Sequence, residues 1–233
     1  MRVAFSQMNE DRSKKVAVII PAHNEASRIE SVLRAVTSSR LVSQVIVVDD
    51  GSSDGTSEVA RRIPNVEVLT LKKNVGKAGA MAAGVKRTDA PILAFVDADL
   101  GGLKSEHLDR IIVPLLKDQC DMCVGIFKGG KAWSDAAQTV SPYLSGQRAL
   151  RREIFEAVPY VQNLGLGIEV ALNKVAKRRK ARVLRVILRG VSNCHKEVKV
   201  GIVKGLGGRL KMFGEISMAF VKPSKPKKRK KWF

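Results

Sequence analysis

Acidic residues gather where apolar runs end. The run "PILAFVDAD" closes on Asp97 and Asp99, "QVIVVDD" closes on Asp50, and "VAVIIP" leads into "PAHNE" with Glu25. Two carboxylates one residue apart are hard oxygen donors, suited to Mg²⁺ or Mn²⁺ with coordination positions left for phosphate oxygens. A cation there would neutralise the charge that develops on a diphosphate leaving group. Side chains alternate along a strand, so Asp97 and Asp99 are expected to face the same way, with Cα atoms about 6.6–7 Å apart. Glu25 and Asp50 are expected to face a ligand from neighbouring strand ends. Asp54, in "DGSSDGT", reads equally well as a helix cap. No G-x-G-x-x-G or Walker spacing is present, which speaks against a dinucleotide or P-loop site.

These acids need a scaffold that brings strand ends together. "VAVIIP" (Val16–Pro21), "QVIVVDD" (Gln44–Asp50), "VEVLTL" (Val66–Leu71) and "PILAFVDAD" (Pro91–Asp99) are short, β-branched and apolar on both faces, as buried parallel strands are. Between them, "SRIESVLRAVTSS" carries Ile29, Val32, Leu33 and Val36 at helical spacing, "DGTSEVARRI" opens with capping residues, and "GKAGAMAAGVKR" is rich in alanine. Alternating strand and helix predicts right-handed βαβ units, with ligands bound beyond the carboxyl ends of the strands. A further strand is expected at "DMCVGIF", a loop at "KGGKAWSDAAQTVSPY", helices at "LRREIFEAV" and "LGIEVALNKVAKRR", a last strand at "RVLRVILRGV" and an amphipathic helix at "IVKGLGGRLKMFGEISMAF".

The 233 residues include 42 Lys and Arg against 22 Asp and Glu, a formal charge of +20. The excess concentrates in "NKVAKRRKARVLRVILRG" and in the tail "KPSKPKKRKK", which holds seven basic residues and no acid. Such surfaces favour anionic partners: phosphorylated substrates, lipid headgroups or nucleic acid. Low aromatic content, 5%, argues against the stacking platforms of a nucleic-acid binder. No apolar run reaches the roughly 18 residues of a membrane span, and the first residues lack the apolar core of a signal peptide. A cytoplasmic location is expected, with the tail and its Trp232 and Phe233 in peripheral contact with the inner face of a membrane. Three cysteines do not make a disulfide framework. The Cys120–Cys123 C-x-x-C has no companion pair and reads as core packing rather than zinc binding.

Taken in order, "IIPAHNE", "VIVVDDGSSDGT", "NVGKAGAMAAG" and "FVDADL" resemble the nucleotide-sugar domain of family-2-type glycosyltransferases with the GT-A fold, over about residues 15–200. The resemblance implies an α/β single domain with a mostly parallel central sheet. It also implies that Pro21, Ala22, Asn24, Glu25 and Asp50 hold the base and ribose of a nucleoside diphosphate, and that Lys77 and Ala98 lie against the nucleotide. Asp97 and Asp99 would be the metal-binding D-x-D. Asp50 matches the acid that pairs with uracil in similar enzymes, so UDP-sugar is the expected donor and GDP-sugar the runner-up.

The second half is similar to polyprenyl-phosphate sugar synthases and glucosyl-phosphoglycerate synthases. "SGQRALRREIF" (Ser145–Phe155) resembles their acceptor-side segment. "LGLGIEVALN" resembles the segment where inverting relatives carry a Glu-Asp pair, the Asp serving as general base. Here Val170 follows Glu169, so either Glu169 is the base or the acceptor is a phosphate that needs none. By the same resemblance His195, in "SNCHKEVKVG", completes the metal site, with Lys199 a diphosphate contact. The expected organisation is an extension (1–14), the GT-A domain (15–203), an amphipathic helix (204–221) and a basic tail (222–233). The competing reading is a basic nucleic-acid-binding protein without transferase activity.

Overall fold

The computed structural model describes residues 15–128, 145–161, 164 and 167–193. The expected N-terminal extension, the loop after Lys128, the C-terminal helix, the tail, His195 and Lys199 lie outside the described residues.

Nine strands and six helices follow one another among the described residues. They are β1 (Val16–Ala22), α1 (Ile29–Thr37), β2 (Gln44–Asp49), α2 (Thr56–Arg61), β3 (Val66–Thr70), α3 (Lys77–Val85), β4 (Ile92–Phe95), β5 (Leu100–Gly101), α4 (Ser105–Leu116), β6 (Met122–Lys128), β7 (Arg148–Arg151), α5 (Arg152–Glu156), α6 (Ile168–Arg178), β8 (Val183–Arg189) and β9 (Ser192–Asn193). Seven strands form one sheet in the order β3-β2-β1-β4-β7-β6-β8, and β5 pairs with β9 in a short separate ribbon. All neighbours in the main sheet are parallel except the two pairings of β7, which runs antiparallel to β4 and to β6.

The apolar runs on both faces of β1 and β2 are explained by helices on both sides. Val16, Val18 and Ile20 pack with Ile29, Val32 and Leu33 of α1 and with Leu108, Ile111 and Ile112 of α4. Ala17 and Ile19 pack on the opposite face with Ala78, Ala80 and Met81 of α3, and Ile168, Leu172 and Val175 of α6 close the same layer. Cys120 and Cys123 are buried, and both belong to the α1–α4 layer. The Cys120 thiol beside it and its own burial push the Cys123 thiol upward, so these sulfurs serve as core side chains, as the sequence indicates.

Two expectations are corrected. The strand "PILAFVDAD" stops at Phe95, and Ala98–Asp99 forms a turn before β5, so strand alternation does not relate Asp97 to Asp99. The chain turns there because β5 must leave the main sheet to pair with β9. The helix expected from Leu150 begins only at Arg152, because Arg148–Arg151 fills the gap between β4 and β6 as β7. In addition, "SEHLDRIIVPLL" forms a helix, with Leu108, Ile111, Ile112 and Leu115 at helical spacing on its buried face. Its Pro114 sits in the last turn.

Candidate active site

The parallel strands β1, β2 and β4 end at one edge of the sheet, and their loops are tied to one another there. Asn24 takes a left-handed conformation, φ 57°. Its backbone N–H donates to Ser52 Oγ at 2.9 Å, and its side-chain oxygen accepts the Ser53 N–H at 2.9 Å. The Glu25 N–H donates to Thr56 Oγ1 at 2.9 Å and the Ala26 N–H to Asp54 Oδ2 at 3.1 Å. Asp54 also accepts the Thr56 N–H, so it anchors the start of α2 and the "PAHNE" loop together. Buried Asp49 accepts the Ser52 N–H and the Ser57 hydroxyl.

Asp50 reaches across to the loop before α3. Its two carboxylate oxygens accept the backbone N–H groups of Val75 at 2.7 Å and Gly76 at 2.8 Å, and its carbonyl is 2.9 Å from His23 Nδ1. Glu25 is buried and ion-paired with Arg28. Pro21 and Ala22 are the last two residues of β1. These residues are assembled at one strand-end cluster, with the acids of Glu25 and Asp50 held by protein donors.

A second cluster joins the two halves of the chain. Lys77, the first residue of α3, places its Nζ 2.6 Å from Asp97 Oδ1 and 2.7 Å from Glu169 Oε1. Gln147 Nε2 donates to Asp97 Oδ2 at 2.9 Å, so both oxygens of Asp97 are engaged. Behind them Arg148, fully buried, bonds the carbonyl of Ser145 at 2.5 Å and those of Glu169 and Asn173 Oδ1 at 3.4 Å. Burial works against the Lys77 ammonium, yet Asp97 and then Glu169 overcome it and raise its proton affinity. Burial lowers that of Arg148, with Glu169 and Asp97 resisting. Two cations thus stand among two carboxylates in a half-dry space, where each charge depends on its partners.

Gly146 makes this approach feasible. A Cβ on it would lie 2.5 and 2.7 Å from the Asp97 oxygens and 2.7 Å from Lys77 Nζ. Gly146, Gln147 and Arg148 were missed as individual site residues. Their signal was the "SGQR" segment itself: a glycine, an amide and an arginine entering a strand whose neighbours are apolar.

Asp97, Lys77 and Glu169 are therefore in direct contact. Asp99 and Ala98 sit in the adjoining turn, Ala98 buried and Asp99 half-buried. Glu169 is the second residue of α6, and Val170 beside it is buried. Among the described residues no group of three or more His, Cys, Asp or Glu is arranged to hold a metal. Asp97 and Asp99 are oxygen donors of the kind that suits Mg²⁺ or Mn²⁺, and a cation at Asp97 would have to take the place of Lys77 or Gln147 on its oxygens.

The family model described as Glycosyl transferase family 2 matches residues 17–160, from β1 to just past α5. The chain belongs to glycosyl transferase family 2. This family 2 chain is 27% identical over 221 residues to the undecaprenyl-phosphate 4-deoxy-4-formamido-L-arabinose transferase of Aeromonas hydrophila, covering 84% of the chain and 66% of that relative. It is 42% identical over 91 residues to glycosyltransferase AglE of Haloferax volcanii, covering 36% of the chain and 30% of that relative. The chain thus spans from 30% to 66% of the length of these two curated relatives. Among solved structures it is similar to the Mycobacterium tuberculosis glucosyl-3-phosphoglycerate synthase in complex with Mn²⁺, UDP and phosphoglyceric acid. The TM-score is 0.75 at 22% identity, over 93% of this chain and 82% of that one. The likeness establishes the α/β fold with its mixed, mostly parallel sheet as the GT-A fold of this family 2 member.

Proposed function

We propose that the chain transfers a sugar from a nucleoside-diphosphate sugar, UDP-sugar first, to a phosphate-bearing acceptor. One observation carries this reading: Asp97 from the donor-side turn and Glu169 from α6 meet on two sides of the Lys77 ammonium. Nucleotide-binding loops and an acceptor-side helix then share one charged cluster. Asp97 and Asp99 would hold Mg²⁺ or Mn²⁺, with His195 as a further ligand, and that cation would supply charge neutralisation for a departing diphosphate. Solved relatives with Mn²⁺ or Mg²⁺ and UDP support the cation and the nucleotide.

The acceptor class follows from proton bookkeeping. Attack by a hydroxyl requires a base to take its proton, and buried Val170 offers none. Glu169 is engaged by Lys77 and is better placed to hold geometry than to collect a proton. A phosphate oxygen already carries the electron pair and the charge it needs. The relatives whose names specify a polyprenyl phosphate or a phosphoglycerate support the same class. Pro21, Ala22, Asn24, Glu25, Asp50 and Lys199 remain the proposed nucleotide contacts, and for a hydroxyl acceptor Glu169 is the proposed base.

Calorimetry with UDP and Mn²⁺ tests the donor side. Asp99→Asn is expected to abolish metal-dependent UDP binding while the protein stays folded. Unchanged affinity would remove Asp99 from the metal site. Transfer assays with UDP-sugars should then show product with phosphate-bearing acceptors and none with simple alcohols.

A further inference from the structure

Between positions 170 and 193 the chain holds eight Lys and Arg and no acid, and all eight are exposed. They are not scattered. Val183 packs with Leu172, Val175 and Ala176 in the α6 layer, whereas Val186 and Leu188 pack in the layer on the other face. Alternation therefore puts Arg185, Ile187 and Arg189 on the α6 side of the sheet, the side whose helix ends in Lys177–Lys180. Arg182 is engaged in salt bridges to Asp118 and Asp121. Ile187 on this face is about two-fifths exposed, at 40%, whereas Leu184 turns to the other face of the strand.

The position of β8 gives this charge a use. It is the last strand of the sheet order, and it runs parallel to β6 and hence to β4, because β4 and β6 are both antiparallel to β7. Arg189 therefore lies at the same end of the sheet as Asp97. Gly190, φ 74°, turns the chain into β9, which pairs with Leu100 and Gly101 directly after Asp99. A Cβ on Gly102 would drive into the Gly190 carbonyl oxygen, so the donor-side turn and the end of the basic strand are in backbone contact.

We propose that the α6–β8 face docks on an anionic phospholipid bilayer and holds the mouth of the site against it. Basic side chains grouped around the exposed Ile187 match a headgroup boundary, where charge attracts and an apolar group sinks in. RNA fits less well, since residues 162–193 contain no aromatic side chain for base stacking. Docking stands on the surface alone. Its use, presenting a lipid-borne phosphate acceptor, rests on the function proposed above.

The test is sedimentation of the full chain with vesicles of phosphatidylcholine and phosphatidylglycerol against vesicles of phosphatidylcholine only. Binding is expected to the first alone and should fade near 1 M salt. The triple variant Lys177→Glu, Arg178→Glu, Lys180→Glu should lower the partition coefficient at least about tenfold, and the tail variant Lys227→Glu, Lys228→Glu, Arg229→Glu less than about threefold. If the glutamate variant fails to melt like the parent, the alanine triple at the same positions should still weaken binding about threefold or more. Equal sedimentation of face variant and parent, loss confined to the tail variant, or retention on RNA in place of vesicles overturns the proposal. UDP binding measured on the same variants separates this failure from failure of the transferase reading, since none of these residues is placed in the site.

Discussion

The first and second halves of the sheet, proposed above as the donor half and the acceptor half, are fastened in different ways. In the first, residues 15–101, the strand-end loops are tied by carboxylates that accept backbone N–H groups: Asp49 from Ser52, Asp50 from Val75 and Gly76, Asp54 from Ala26 and Thr56. In the second, side chains far apart in sequence meet as ion pairs: Lys77 with Glu169, Arg182 with Asp118 and Asp121, Arg151 with Asp118. A backbone-directed bond fixes a loop whatever its neighbours do. A side-chain ion pair holds only while both partners are present, so the acceptor half should be the more sensitive to single charge changes.

Lys77 is the sharpest probe of that contrast, because it belongs to the first half and binds the second. Lys77→Met should strand two half-dry carboxylates and cost about 3 kcal/mol in urea unfolding. A loss within experimental error would mean that the halves are held together elsewhere. Gly146→Ala comes next. Its methyl group must displace Asp97 or Lys77, and the expected outcome is a loss of about 1–3 kcal/mol with transfer slowed roughly 100-fold by misplacement. Normal turnover would show that the cluster can shift without consequence.

The smallest effect should come from the far end of the acceptor half. Hydrogen bonds from Arg182 hold the Asp121 carboxyl at about 2, below the ordinary 3.8. A depressed carboxyl gives stability that is present above 3.8 and lost as pH falls through about 2. Asp121→Asn should therefore match the parent at pH 2 and fall below it at pH 5, by no more than about 1 kcal/mol because Arg182 is half exposed. An equal difference at both pH values would assign the loss to packing instead.

The same contrast explains what could be read in advance. The donor-half strands and helices carry their pattern locally: apolar runs, an alanine-rich helix, acids at strand ends. Family resemblance added Lys77 and Glu169 as site residues, but their meeting at Asp97 depends on β7, a four-residue strand that brings Gly146 and Gln147 into place. Nothing local marks "RALR" as a strand between two apolar neighbours, and its buried Arg148 runs against the usual pattern of core strands. The turn at Ala98–Asp99 was hidden for a similar reason, since it exists to serve a pairing with β9 some ninety residues later.

The grouping of Lys77, Arg148, Asp97 and Glu169 also says what kind of guest the site can admit. Within these four, two positive and two negative groups balance one another, and Asp99 adds a further acid in the adjoining turn. A bare diphosphate would leave the cluster overloaded with negative charge, and a bare divalent cation would face an ammonium. Under the proposed function the diphosphate and its metal would arrive together, with Lys77 exchanging a carboxylate partner for a phosphate one.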